Sequence, residues 1–164
     1  MRTISKSIIC LTFFVMLLSC TEESNEVTMN TSTDNGLVLK NSTLDFEATY
    51  SILKNTIGAN PNLTIMFELD HSKNAKSKDL NLRPTRVIIF GNPNLGTPLM
   101  QSQASLAIDL PQKIVVYQLE DGTVQVGYND PVYLKERHGL VGQDELLTKI
   151  SNALNTITDN AISN

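Results

Sequence analysis

The spacing of apolar residues along this chain changes several times, and each change predicts an element. From Ile8 to Leu18 apolar residues run almost unbroken. Leu37 to Lys40 predict a short strand. After it, Phe46, Tyr50, Leu53 and Ile57 recur at helical spacing, with Gly58 as a stop and Ser42, followed three residues on by Asp45, as a capping box. In "LTIMFELD" the pattern switches to alternation: Leu63, Ile65, Phe67 and Leu69 on one face, Thr64, Glu68 and Asp70 on the other. "HSKNAKSK", His71 to Lys78, has no apolar period and reads as a solvated loop. Arg86 to Phe90 form a more buried strand. Lys113 to Leu119 and Thr123 to Tyr128 flank Asp121-Gly122, a strong hairpin signal. Asp130-Pro131 opens a helix that Gly139 closes. Leu146, Leu147, Ile150, Ala153, Leu154 and Ile157 give an amphipathic C-terminal helix.

Between the buried strand and the hairpin lies "FGNPNLGTP", Phe90 to Pro98, with Gly91 and Gly96 near the frame of a phosphate-cradling loop. Such a loop needs Lys after its second glycine and then Ser or Thr for magnesium. Here Thr97-Pro98 follows, with no Lys, and Pro98 removes a backbone donor. The stretch reads instead as an N-cap and first-turn proline for a helix from about Pro98 to Ala107, and no nucleotide is expected. Asn92, Gly96 and Thr97 remain candidates for a weaker ligand site at that helix start. The element order predicts an α+β fold: a mostly antiparallel sheet with helices packed on one face and a more polar opposite face. A partner, or a second copy forming a homodimer, would sit on the exposed face.

The N-terminus sets the address. Arg2 and Lys6 precede the Ile8–Leu18 run, which is short of the roughly 20 residues a bilayer span needs. It fits a secretory signal. Its end, Leu17-Leu18-Ser19-Cys20, resembles the bacterial lipobox, which implies cleavage before Cys20 and acylation of its thiol. Residues 1–19 are then a lipoprotein signal peptide, 20–35 an acylated cysteine with a flexible Ser/Thr/Asn-rich tether, and 36–164 one domain. Lipid anchoring at Cys20 places the protein in the cell envelope; Thr21, where an inner-membrane retention signal would have Asp, favours the outer membrane facing the periplasm in a Gram-negative cell. Cys10 is discarded with the leader, so neither thiol chemistry nor a disulfide is available to the mature chain. The 13 Lys and Arg less the leader's two leave 11 against 17 Asp and Glu, a net charge of −6. With no Trp and no basic block, nucleic acid is not an expected partner.

Candidate chemistry is sparse. The two histidines are His71 and His138. No pair of His at i, i+4 with a Glu is present, so no metal is assigned, and the cofactor is unknown. Asp130 and His138 resemble a dyad, but eight helical residues separate them by about 12 Å. Asp130 reads as the helix N-cap. His71, Tyr128, Asp130 and His138, all at element ends, are the candidates for a functional pocket, catalytic or otherwise.

The runs "FELDHSKNA", "FGNPNLGTPLMQ" and "AIDLPQKIVVYQLEDGTVQVGYNDPVYLKERHGL" resemble the family called domain of unknown function 302, from about Leu37 to Leu140. The resemblance implies a helix, a largely antiparallel sheet and further helices, a TATA-binding-protein-like β-α-β4-α arrangement, often dimeric. It implies no activity. The leading reading is therefore a lipid-anchored envelope domain binding a small ligand or protein partner without catalysis. Its rivals are an envelope enzyme or metal-binding protein using His71 and His138 with Asp130 or Tyr128, and a structural dimer module. Approach of the two histidines within one cavity separates them.

Overall fold

The computed structural model describes residues 31–32 and 34–163. The segment expected to be a signal peptide, Cys20 and most of the expected tether lie outside the described residues.

One six-stranded sheet organises the chain. Its strands are β1 (Thr31–Ser32), β2 (Leu37–Ser42), β3 (Thr64–Asp70), β4 (Thr85–Gly91), β5 (Gln112–Gln118) and β6 (Val124–Asn129). They lie in the order β1-β2-β6-β5-β4-β3, every neighbouring pair antiparallel. The helices are α1 (Phe46–Gly58), α2 (His71–Lys76), α3 (Pro93–Ser102), α4 (Pro131–His138) and α5 (Asp144–Ile162), with a 3-10 turn at Ala104–Ile108.

Strand alternation sorts the side chains into rows. One face carries Val38, Tyr128, Ile114 and Ile88 in register, and beside them Lys40, Val126, Val116 and Arg86. Most of these are buried, because α1 and α5 cover this face. α1 turns Phe46, Tyr50, Leu53 and Ile57 inward, and α5 turns Leu147, Ile150, Leu154, Ile157 and Ala161 inward. Both sets follow the i, i+3, i+4 spacing of a buried helical stripe. The opposite face is half-exposed. It is less polar than the alternation predicts: a central row of Leu39, Val115, Val87 and Leu69 is apolar, while Asn41, Gln125, Tyr117 and Thr85 form a polar row beside it.

Four local expectations are corrected. The cap of α1 is Asp45, whose side chain accepts from Ala48 N–H at 2.8 Å; Ser42 instead accepts from Leu44 N–H and shares a hydrogen with Thr49 Oγ1. Residues 71–76 are helical, not a loop, because Asp70 at the strand end accepts from Lys73 N–H and caps a turn that needs no apolar face. α3 begins at Pro93, five residues before the proline that reads as its start, because Asn92-Pro93 carries the same cap-and-proline signal; Asn92 accepts from Asn94 N–H at 2.9 Å. In β3 the register shifts between Ile65 and Phe67, a bulge at Met66 that puts Phe67 and Leu69 on the face opposite Ile65. In addition, β1 pairs with β2 through Thr31 and Ser32, so the sheet begins inside the segment assigned to the tether.

Candidate functional site

The sheet has two ends, and the register says which residues share one. Asp70 faces Arg86, whereas Phe90 faces Gln112. Four residues of β4 separate those positions, about 13 Å at 3.3 Å each. His71 follows Asp70 at the first end. His138 is bonded to Asp109, just before β5, at the second. The two histidines are thus not brought together. Tyr128 is elsewhere again: it is buried on the covered face, where its hydroxyl donates to Asn155 Oδ1 at 2.7 Å and burial pushes its pKa up to about 12. Asp130 caps α4, accepting from Val132 N–H at 2.9 Å, at the opposite end of that helix from His138. The four residues assigned to one pocket occupy separate places.

Asn92, Gly96 and Thr97 do line one cavity. β4 ends at Gly91, Asn92 caps α3, and the chain returns through the 3-10 turn and a cis Leu110–Pro111 peptide to β5. Between α3, α5 and the sheet end this leaves a cavity of about 220 Å³. Phe90, Leu95, Met100, Leu110 and Leu154 form its apolar walls, and Asn92, Thr97 and Gln112 supply its polar groups. No lining side chain is charged or titratable. A Cβ at Gly91 would lie 3.3 Å from Pro111 Cβ, so the strand end and the returning loop meet closely there.

Around the corner of the same loop is a cluster that residue spacing does not reveal. The ring of His138, at the C-terminus of α4, lies between Asp109 and Ser105. Nε2 is 2.6 Å from Asp109 Oδ2 and Nδ1 is 2.8 Å from Ser105 Oγ. Arg137 Nη1 donates to Asp109 Oδ1 at 3.3 Å, Lys113 Nζ donates to Asp109 O at 2.8 Å, and Gln103 Nε2 donates to His138 O at 2.9 Å. The side chains of His138 and Asp109 are 6% and 10% exposed, while Ser105 is exposed. The one signal for Asp109 in the sequence is an acid inside the apolar run "LAIDLP".

A third polar group, at the Asp70 end, is internally paired. Arg86 donates through Nε to Asp70 at 2.9 Å and through both Nη atoms to Glu47 at 2.8 Å, with its guanidinium 5.1 Å from the Phe46 ring centre and 5.2 Å from that of Tyr50. Burial pushes the Asp70 carboxyl up, but hydrogen bonds from Ser72, Lys73 N–H and Arg86 outweigh it and hold the group far below the usual carboxylate range. Tyr50, whose hydroxyl donates to Glu68 at 2.9 Å, is pushed well above the usual phenol range by burial and by that bond. Such a knot clamps α1 to β3 and β4. Among the described residues no group of three or more His, Cys, Asp and Glu is placed to hold a metal ion.

Comparison with known proteins adds three observations. The chain is 35% identical over 97 residues to a protein of Brucella suis biovar 1 (strain 1330) called fluoride-specific ion channel FluC 1, covering 58% of this chain and 38% of that protein. The identity and the share of this chain are the same for FluC 1 of Brucella abortus biovar 1 (strain 9-941), of which 36% is covered. The chain thus spans little more than a third of these relatives. The crystal structure of an uncharacterized conserved protein DUF302 from Bacillus stearothermophilus superposes with a TM-score of 0.68 at 18% identity, covering 77% of this chain and 98% of that one; this likeness shows a shared α+β fold. The family described as domain of unknown function DUF302 matches residues 38–157, nearly the whole sheet and its covering helices, and the chain belongs to that family.

Proposed function

We propose that the mature protein is a lipid-anchored envelope domain that holds a small apolar ligand, or the apolar side chain of a protein partner, in the cavity beneath α3. The observation that carries this reading is the cavity's composition: hydrocarbon walls and three neutral polar side chains. Its volume of about 220 Å³ lies below the ~300–1,000 Å³ of pockets for drug-sized molecules, so the ligand is small. Burial of each methylene contributes about 0.8 kcal/mol, and Asn92, Thr97 or Gln112 would orient one hydrogen-bonding group. No lining side chain can exchange a proton near neutral pH, so the cavity binds without catalysis. The lipid anchor rests on the leader and Cys20.

The stretch shared with the Brucella relatives is only 36–38% of their length. Among the described residues no helix is long and apolar enough to cross a membrane. The test is titration with N-phenyl-1-naphthylamine, a neutral apolar fluorophore. We expect saturable enhancement in the wild type and its loss in Ala153→Phe, which fills the cavity from α5. Absence of enhancement, or equal enhancement in a folded Ala153→Phe, removes the reading.

A second reading rests on the uncovered sheet face. The Leu39, Val115, Val87 and Leu69 row is flanked by Phe67, itself 56% exposed, and Lys113 is the one charged residue in the adjoining row with Ile89 and Phe67. A second copy can cover this face with few like charges opposed, forming a homodimer. Light scattering should give a dimer for the wild type and a monomer for Val87→Glu; a monomeric wild type at high concentration refutes it.

A further inference from the structure

We propose that Ser105, His138 and Asp109 form a catalytic site for the hydrolysis of small acyl esters, with Ser105 as nucleophile, His138 as base and Asp109 as positioning residue.

For the neutral imidazole, the form able to act as a base, the hydrogen-bond pattern sets the roles. An ionised carboxylate only accepts, so the 2.6 Å contact puts the proton of the neutral imidazole on Nε2, donating to Asp109. Nδ1 is then left with its lone pair. Ser105 Oγ, 2.8 Å away, donates its hydrogen to that lone pair. This is the nucleophile, base and orienting acid of serine hydrolysis with the two ring nitrogens exchanged; either nitrogen serves as base when a carboxylate holds the other as N–H. The burial is graded in the sense the chemistry needs. Ser105 is exposed, while the base and its carboxylate are 6% and 10% exposed and shielded from competing water. The orientation is enforced from several sides. Gln103 ties down the carbonyl of His138, Arg137 takes the other oxygen of Asp109, and Lys113 takes its backbone carbonyl. The hydrogen bonds of the turn begin with Leu106 N–H to Gln103 O at 3.1 Å, and Ser105 N–H, on the residue before it, is the donor we assign to the oxyanion.

The step balances without any cofactor. Oγ forms a bond to the ester carbonyl carbon as Nδ1 takes the hydroxyl proton. The tetrahedral intermediate expels the alcohol, which leaves with that proton from Nδ1. Water then attacks the acyl-serine, Nδ1 takes a proton from it, and the carboxylic acid departs as the proton returns to Oγ. Ser105 is exposed beside the 3-10 turn, so an ester carbonyl reaches Oγ directly from solvent.

The test uses the full-length protein, a fluorophosphonate and peptide mapping by mass spectrometry. We expect a single adduct on Ser105, none in Ser105→Ala, and a labelling rate lower by about 100-fold or more in His138→Gln, as for loss of a general base. Asp109→Asn should lower the rate similarly while far-UV circular dichroism shows the fold retained. Because the buried variants can unfold, Ser105→Cys is the safeguard, since position 105 is exposed. Its alkylation by iodoacetamide at pH 6 should exceed that of Ala104→Cys at least tenfold, the imidazole having taken the thiol proton. No adduct on Ser105 of the wild type at excess reagent, labelling of a folded His138→Gln at the wild-type rate, or equal alkylation of the two cysteine variants overturns the proposal.

Discussion

Lys40 offers the sharpest test of how this domain is held together. Its place in β2 is dictated by alternation: with Val38 inward, Lys40 must also point inward, and its side chain is 2% exposed beneath α5. Its ammonium donates to Asp159 Oδ1 at 2.6 Å, to Asn155 Oδ1 at 3.2 Å and to Asn155 O at 3.4 Å, and it lies 5.8 Å from the Tyr128 ring centre. Asp159, by contrast, is 59% exposed. That asymmetry makes the two partners unequal under mutation. Asp159→Ala leaves a buried ammonium with neutral acceptors only, and losing one partner of a buried pair costs 3–5 kcal/mol. Water reaching the vacated surface position moderates this, so we expect about 3 kcal/mol, the lower end. Lys40→Met deletes the cation, keeps an unbranched apolar stem, and leaves Asp159 a hydrated surface carboxylate. It should cost less than about 1.5 kcal/mol, as volume-conserving exchanges do. Urea unfolding with unchanged m-values measures both. If Lys40→Met destabilises as much as Asp159→Ala, the ammonium is stabilising in its own right and the reasoning from desolvation is wrong.

Four further outcomes follow. Asn92→Ala should cost about 1 kcal/mol as a lost helix cap, and Thr97→Ala, exposed inside α3, less than about 0.5 kcal/mol; thermal melts compare them. Because the Asp70 carboxyl is held far below its unfolded value, its contribution is present above that value and lost as pH falls; acid unfolding of Asp70→Asn should therefore be less steep than that of the wild type. Gly36 has φ +77°, and a Cβ there would lie 2.2 Å from the Tyr133 ring, so Gly36→Ala should lower stability by more than the ~1 kcal/mol of backbone strain alone, and adding Tyr133→Ala should restore the steric part. Cys20→Ser should release the protein from membranes on cell fractionation; normal processing and membrane retention would refute acylation.

What was legible in the sequence had local physical causes. α1, α4, α5 and the β5–β6 hairpin each carry period and punctuation within a few residues, and Asp121-Gly122 and Gly139 stand where turn and cap chemistry place them, with Gly122 at φ +91° and Gly139 at φ +60°. The bulge at Met66 leaves one mark in the sequence, the apolar run Ile65-Met66-Phe67 that interrupts the alternation through 63–70, but a single apolar residue on a polar face does not identify a bulge; only pairing with β4 shows the slip. α2 was hidden because a two-turn helix capped by Asp70 needs no apolar stripe. The site divides in the same way. Asn92, Gly96 and Thr97 are close in sequence and could be grouped. Ser105 and Asp109 meet His138 across 33 and 29 residues, and that meeting exists only because α3, the 3-10 turn and α4 converge at one end of the sheet.

The glycine loop shows how a backbone motif takes its meaning from what surrounds it. Gly91 and Gly96 do flank a helix start, and a helix start alone favours an anion. Here the first such group, Asn94 N–H, is already bonded to Asn92 Oδ1. Pro93 and Pro98 contribute none. The space those residues line has Phe90, Leu95, Met100 and Leu110 on its walls and no cation. A phosphate entering it would give up hydration to hydrocarbon, and an unpaired charge in an apolar setting is far too costly for one helix dipole to offset. An acyl or alkyl group loses nothing on the same path. The loop that resembles a phosphate cradle in outline is, by the chemistry of its neighbours, the rim of an apolar pocket.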